Sequence, residues 1–222
     1  ISENNFATKD EIVSELDLDL NKPIILFTQH SVTTEFDQSV DQINPCLEGL
    51  TRLSNEDIQI IITYPNNDAG GKQIIQRINE FSESSNSNIQ VHRSLGRYLY
   101  HGILSLSEQG VRVACVGNSS SGLKETPAFS CPTVNIGSRQ DGRLRGVNVI
   151  DCDYSSSDLQ EAIKKCLFDE NFRDLCRKGD NPYWMGDAGP KIAKVLAEID
   201  LNQDLIRKKM TLKGNVKDGW FQ

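Results

Sequence analysis

Six short apolar runs recur along the chain, at 24–27, 58–63, 89–92, 111–116, 133–136 and 147–151, each closed by polar, glycine-rich or serine-rich residues. Runs this short and this continuously apolar predict strands buried on both faces of a parallel sheet. Between them the period changes. Phe36, Val40, Ile43, Leu47 and Leu50 fall at helical spacing over 35–53, and Ile74, Ile75 and Ile78 mark a second helix. A short helix over 98–106, one starting near Ser121 and three over 157–168, 170–177 and 188–199 complete the pattern. Pro45 inside the first helix predicts a kink or break, since proline lacks the N–H and crowds the preceding turn. Residues 1–21 predict a linker or lead-in helix, 22–199 one domain, and 200–222 a C-terminal helix and tail.

Strands alternating with helices predict an α/β fold, a doubly wound six-stranded parallel sheet with right-handed crossovers. In the common order 3-2-1-4-5-6, ligands bind where the order reverses, between the first and fourth strands. The loops at 28–34 and 117–121 would flank that crevice. The second belongs to VRVACVGNSSSGLKE, residues 111–125, in which a strand breaks at Gly117 into small polar residues and then a helix. Free N–H groups and roughly half a positive charge at a helix N-terminus make such a turn an anion site. The plainer alternative is that one serine is only a helix cap. His30 ends the first strand at the same crevice. Asn67 and Asp68 either face the cleft or form a turn and cap, and His92, Arg97 and Tyr98 follow the third strand as a wall for a base, with Ser94 a further nucleotide-binding candidate there.

Composition narrows the chemistry. A net charge of −7 and a pI near 5.0 argue against nucleic-acid or membrane-surface partners, which need a basic face. No apolar run is long enough to span a bilayer and no signal peptide is visible, which predicts a cytoplasmic protein. The six cysteines are scattered without a CxxC pair, so buried free thiols are expected rather than disulfides or a metal site. His30, His92 and His101 lack ligand spacing. Neither GxGxxG, GxxxxGK[ST] nor GxSxG occurs, which argues against dinucleotide binding, P-loop hydrolysis and a hydrolase elbow. No metal and no cofactor are expected.

Four motifs in order carry a resemblance: QHSVTTE at 29–35, YPNNDAGG at 64–71, GNSSSGLKE at 117–125 and PTVNIGSRQDGR at 132–143. The chain resembles the C-terminal domain of the hydrolysing UDP-N-acetylglucosamine 2-epimerases, whose motifs are HPVTTE, PN.DAG, GNSS.G..E and P..N.G.RQ.GR. The match runs from about residue 20 to 199 and departs at Ser31, where the family usually has proline. It implies one Rossmann-like half of a two-domain GT-B fold.

The resemblance also implies roles. Ser119 and Ser120 would hold the diphosphate, Asn118 would belong to the same nucleotide site, and Glu125 would accept from the ribose hydroxyls. Arg139, with Arg143 as second candidate, would pair with the departing diphosphate. His30, protonated or neutral, would donate to the leaving oxygen. The implied reaction converts UDP-N-acetylglucosamine and water to N-acetylmannosamine and UDP, by elimination to a 2-acetamidoglucal and then hydration, and belongs to sialic acid or other cell-surface polysaccharide synthesis. Its acid/base carboxylates would come mainly from an N-terminal domain of the same protein, expected to precede Ile1. The expected partners are therefore UDP or UDP-N-acetylglucosamine and that domain, with a homo-oligomer left open. A GT-B glycosyltransferase and a non-enzymatic nucleotide-responsive module are the alternative functions.

Overall fold

Alternation of side chains along each strand sorts the apolar runs onto two faces of one sheet. In the computed structural model, which describes residues 5–184, 186–206, 216–217 and 220–221, six strands run β1 (Ile24–Thr28), β2 (Gln59–Thr63), β3 (Ile89–His92), β4 (Val113–Gly117), β5 (Thr133–Ile136) and β6 (Val149–Cys152). All pairings are parallel, and the order is β3-β2-β1-β4-β5-β6, as expected. Ile25, Phe27, Ile60, Ile62, Ala114 and Val116 face one core. Helices α2 (Ser39–Ser54), α3 (Gly71–Glu83), α6 (Ser156–Phe168) and α7 (Glu170–Lys178) contribute to it. Ile24, Leu26, Ile61, Val113 and Cys115 face the other, with α1 (Lys9–Leu16) and α4 (Gly96–Ser105). The one-residue offset between these sets is the pleat made visible in the sequence.

Several boundaries differ from expectation for local reasons. The helix expected over 35–53 opens as a 3-10 segment, Thr33–Gln38, kinked at Glu35, before α2 begins at Ser39. Pro45 lies inside α2 without breaking it. The carbonyl it leaves unbonded is that of Asp41, an exposed residue whose backbone water can serve. Strand β4 starts two residues late because Val111 N closes a turn onto Leu106 O. The lead-in segment is not merely a linker: α1 is closed by a reciprocal capping box between Thr8 and Glu11 and buries Ile12 and Leu16.

The chain divides into two units, Ile1–Tyr183 and Trp184–Gln222. The division falls ahead of the expected boundary at residue 199, since α8 (Ala188–Glu198) buries none of its residues. The second unit also holds α9 (Gln203–Ile206) and an antiparallel pair, β7 (Val216–Lys217) with β8 (Trp220–Phe221). The rest of the expected 200–222 helix and tail lies outside the described residues. Among the described residues no helix is long and apolar enough to cross a membrane. The six cysteines are free, five buried and Cys152 half-buried.

Candidate functional site

Registration of the three central strands fixes the site. Thr28 pairs with Thr63 on one side and with Gly117 on the other, so β1, β2 and β4 end level. The loops that begin at Gln29, Tyr64 and Asn118 therefore open on one crevice at the topological switch point. Gly117 makes the last pairing feasible. Its φ is +127°, and a Cβ there would stand 2.0 Å from Thr28 O.

Asn118 ties the loops together. Its Oδ1 accepts from His30 N at 2.7 Å and its Nδ2 donates to His30 O at 2.8 Å. Its carbonyl accepts from Gln140 Nε2 at 2.7 Å and Arg139 Nη1 at 3.2 Å. Asn118 is wholly buried, and its amide holds backbone, so the structure gives it the organising of the crevice in place of the expected ligand contact. Gln140 Nε2 does similar work. Glu35, the last residue of the QHSVTTE motif, joins the loops after β1 and β5 by accepting from Ser138 Oγ at 3.0 Å, and it also accepts from Gln42 Nε2 at 2.7 Å.

His30 lies within this frame. Asn66 N donates to its Nδ1 at 3.0 Å, which leaves the ring proton on Nε2. Burial above all, and the nearby Arg139 charge, lower its pKa to about 4 against an opposing pull from Asp68. The imidazole is therefore held neutral near pH 7 and offers one donor. Arg139 faces it from after β5, with Nη2 3.7 Å from Asp68 Oδ2. Asn66 rather than Asn67 makes the contacts here, although both are exposed: its Nδ2 also donates to Asp68 Oδ2 at 2.7 Å.

Beside this cluster lies a cavity of ≈ 400 Å³. Ser119, Ser121 and Glu125 form one wall, Arg93 to Arg97 with Ser94 form another, and Tyr100 and His101 of α4 line it as well. The helix behind the serines, α5 (Ser121–Lys124), is a single turn capped by Ser120 without a side-chain bond. So short a helix has little macrodipole, and donors rather than a dipole must hold an anion here. Three expected residues lie elsewhere. Ser120 does not line the cavity, and Ser121 takes its place. Tyr98 points its hydroxyl to Glu11 of α1, at 3.1 Å, because it sits about 200° around α4 from Tyr100. Arg143 is exposed, while Arg145 is held by Asp151 at 2.7 Å. No group of three or more His, Cys, Asp or Glu side chains is placed to hold a metal among the described residues.

A doubly wound parallel sheet, with its crevice at the β1/β4 switch point and a cavity beside it, is a Rossmann-like fold that matches one half of the two-domain GT-B epimerase structures. A family model described as UDP-N-acetylglucosamine 2-epimerase matches residues 2–197, and the chain belongs to that family. It is 32% identical over 165 residues to the GDP/UDP-N,N'-diacetylbacillosamine 2-epimerase (hydrolyzing) of Campylobacter jejuni, covering 74% of this chain and 41% of that protein. It is 28% identical over 202 residues to the UDP-N,N'-diacetylbacillosamine 2-epimerase (hydrolyzing) of Legionella pneumophila, covering 91% of this chain and 50% of that one. Among solved structures it resembles the UDP-GlcNAc 2-epimerase of Neisseria meningitidis bound to UDP-GlcNAc, with a TM-score of 0.68 at 14% identity, over 86% of this chain and 49% of that chain. The chain thus spans half or less of the length of these curated relatives.

Proposed function

We propose that this chain is the nucleotide-binding half of a hydrolysing 2-epimerase acting on a UDP-linked 2-acetamido sugar in the cytoplasm, a compartment that suits its free buried thiols. The observation that carries the reading is the convergence of three loops on one crevice. Ser119 and Glu125 line the cavity, and His30 and Arg139 lie in the cluster beside it. In this reading Glu125 accepts from the ribose, the serines donate to the diphosphate, and Arg139 turns from Asp68 to the phosphates. Neutral His30 donates Nε2–H to the leaving oxygen as UDP departs. Donors fixed in place before the reaction stabilise charge as it develops on the leaving group.

Elimination also needs a base for the sugar C2 proton. The carboxylates around the crevice are engaged: Glu35 with Ser138 and Gln42, Asp68 with Asn66 even when Arg139 turns away, and Glu125 with His101. The proposal therefore assigns proton abstraction to a second domain, and the chain alone binds UDP without turnover. Thermal unfolding with UDP and with GDP tests the binding. A ligand at 100 times its dissociation constant stabilises by about 2.7 kcal/mol, and no shift with either nucleotide removes the reading. Release of N-acetylmannosamine from UDP-N-acetylglucosamine by this chain alone would refute the division of labour.

A further inference from the structure

Two consecutive residues of α4 support the GNSSSGLKE turn. Tyr100 OH lies 2.6 Å from Ser121 Oγ, and Ser121 Oγ donates to Ser119 Oγ at 3.1 Å. His101 places Nε2 2.8 Å from Glu125 Oε2. One ring thus holds the serine end of the turn and the next holds its carboxylate end. The His101 side chain is 8% exposed against 38% for Glu125, and its ring packs 5.4 Å from that of buried Phe129. A glutamate so exposed has no fixed direction of its own. Here one oxygen is anchored to a buried, packed ring, which leaves Oε1 to accept from a ligand in the cavity that Glu125 lines. An ionised carboxylate only accepts, so His101 carries its proton on Nε2.

We infer that His101 is a positioning residue that fixes Glu125 as the acceptor for a ribose hydroxyl, and so sets the preference for ribonucleotides over dideoxyribonucleotides. The inference rests on the nucleotide reading above and adds to it a residue outside the four motifs. It is distinct from a packing role, because packing needs the ring whereas positioning needs the donor.

The test is isothermal titration of the chain and two variants with UDP and with 2′,3′-dideoxy-UDP. The unsubstituted chain should prefer UDP by roughly tenfold, the scale of one hydrogen bond to a charged group. H101F keeps an aromatic ring against Phe129 but no donor, and should bring that ratio close to one with dideoxy-UDP affinity unchanged. H101Q loses the ring but keeps an N–H, and should retain most of the ratio. If H101F does not fold, H101L carries the same expectation. An unchanged ratio in the donor-less variant, or an equal loss of affinity for both ligands, overturns the inference. UDP binding by the unsubstituted chain without ribose preference overturns it while sparing the nucleotide reading. Failure to bind UDP at all overturns both.

Discussion

Asn118 shows what one side chain does for the crevice. Replacing it with alanine removes both bonds to the His30 backbone and strands a partly buried N–H. The expected cost is about 2–3 kcal/mol, measured by urea denaturation, and a loss below 0.5 kcal/mol would mean the loops hold without it. His30 makes a second prediction. Its pKa is about 4 in the folded chain and about 6.5 when unfolded. Between those values the unfolded state binds more protons, so stability rises with pH across that window and is lost as pH falls from 6.5 toward 4. The contribution is at most about 1.4 kcal/mol per pH unit. Urea midpoints of H30Q should show a shallower slope over pH 4.5–6.5, and identical slopes would place the titration elsewhere. Asp68 makes a third. D68N frees Arg139 from its carboxylate, and should tighten UDP binding several-fold on titration; weaker binding would show that Asp68 serves the ligand directly. Residue identity was partly legible in the sequence. His30 and Arg139 follow from motif and topology, and their geometry bears on the roles proposed. Tyr100 and His101 were not legible, because their importance comes from which face of α4 meets the turn, and Tyr98 shares their composition but not their direction.

Secondary elements were more legible than residues, since strand runs and helical spacing are set by burial that the sequence itself must satisfy. All six strands of the main sheet follow from it, and their order is the common doubly wound one. The failures are places where a local bond decides. Pro45 stays in α2 because its missing bond belongs to an exposed carbonyl, and α5 is one turn because Thr126–Phe129 continues as a 3-10 segment. The β4 terminus carries the element-scale prediction. Alanine at Gly117 would set a methyl group against Thr28 O and force a φ that L side chains rarely adopt. Backbone on both sides of the contact is fixed by pairing to β1, so relaxation is expensive. The expected loss is about 3 kcal/mol or more, read from urea midpoints. A substitution costing under 1 kcal/mol would show that β1 and β4 separate more easily than their register implies.

At the scale of the molecule, the central strands of the first unit and helix α8 of the second bury their residues very differently. The strands β1, β2 and β4 are buried throughout, so their amides exchange with solvent only when the whole first unit opens. Helix α8 buries none of its residues, so its amides exchange by local opening of that helix. UDP that binds the crevice stabilises the native first unit against global opening alone. With UDP at 100 times its dissociation constant, the amides of β1, β2 and β4 should exchange roughly 100-fold more slowly, the kinetic image of about 2.7 kcal/mol. Those of α8 should keep their rate. Hydrogen exchange followed by mass spectrometry reads both in one experiment. Slowing confined to the loops around His30 and Ser119 would mean that UDP quenches local motion without adding to global stability. Equal slowing in α8 would mean that the second unit opens together with the first, and the division at residue 184 would then have no thermodynamic counterpart.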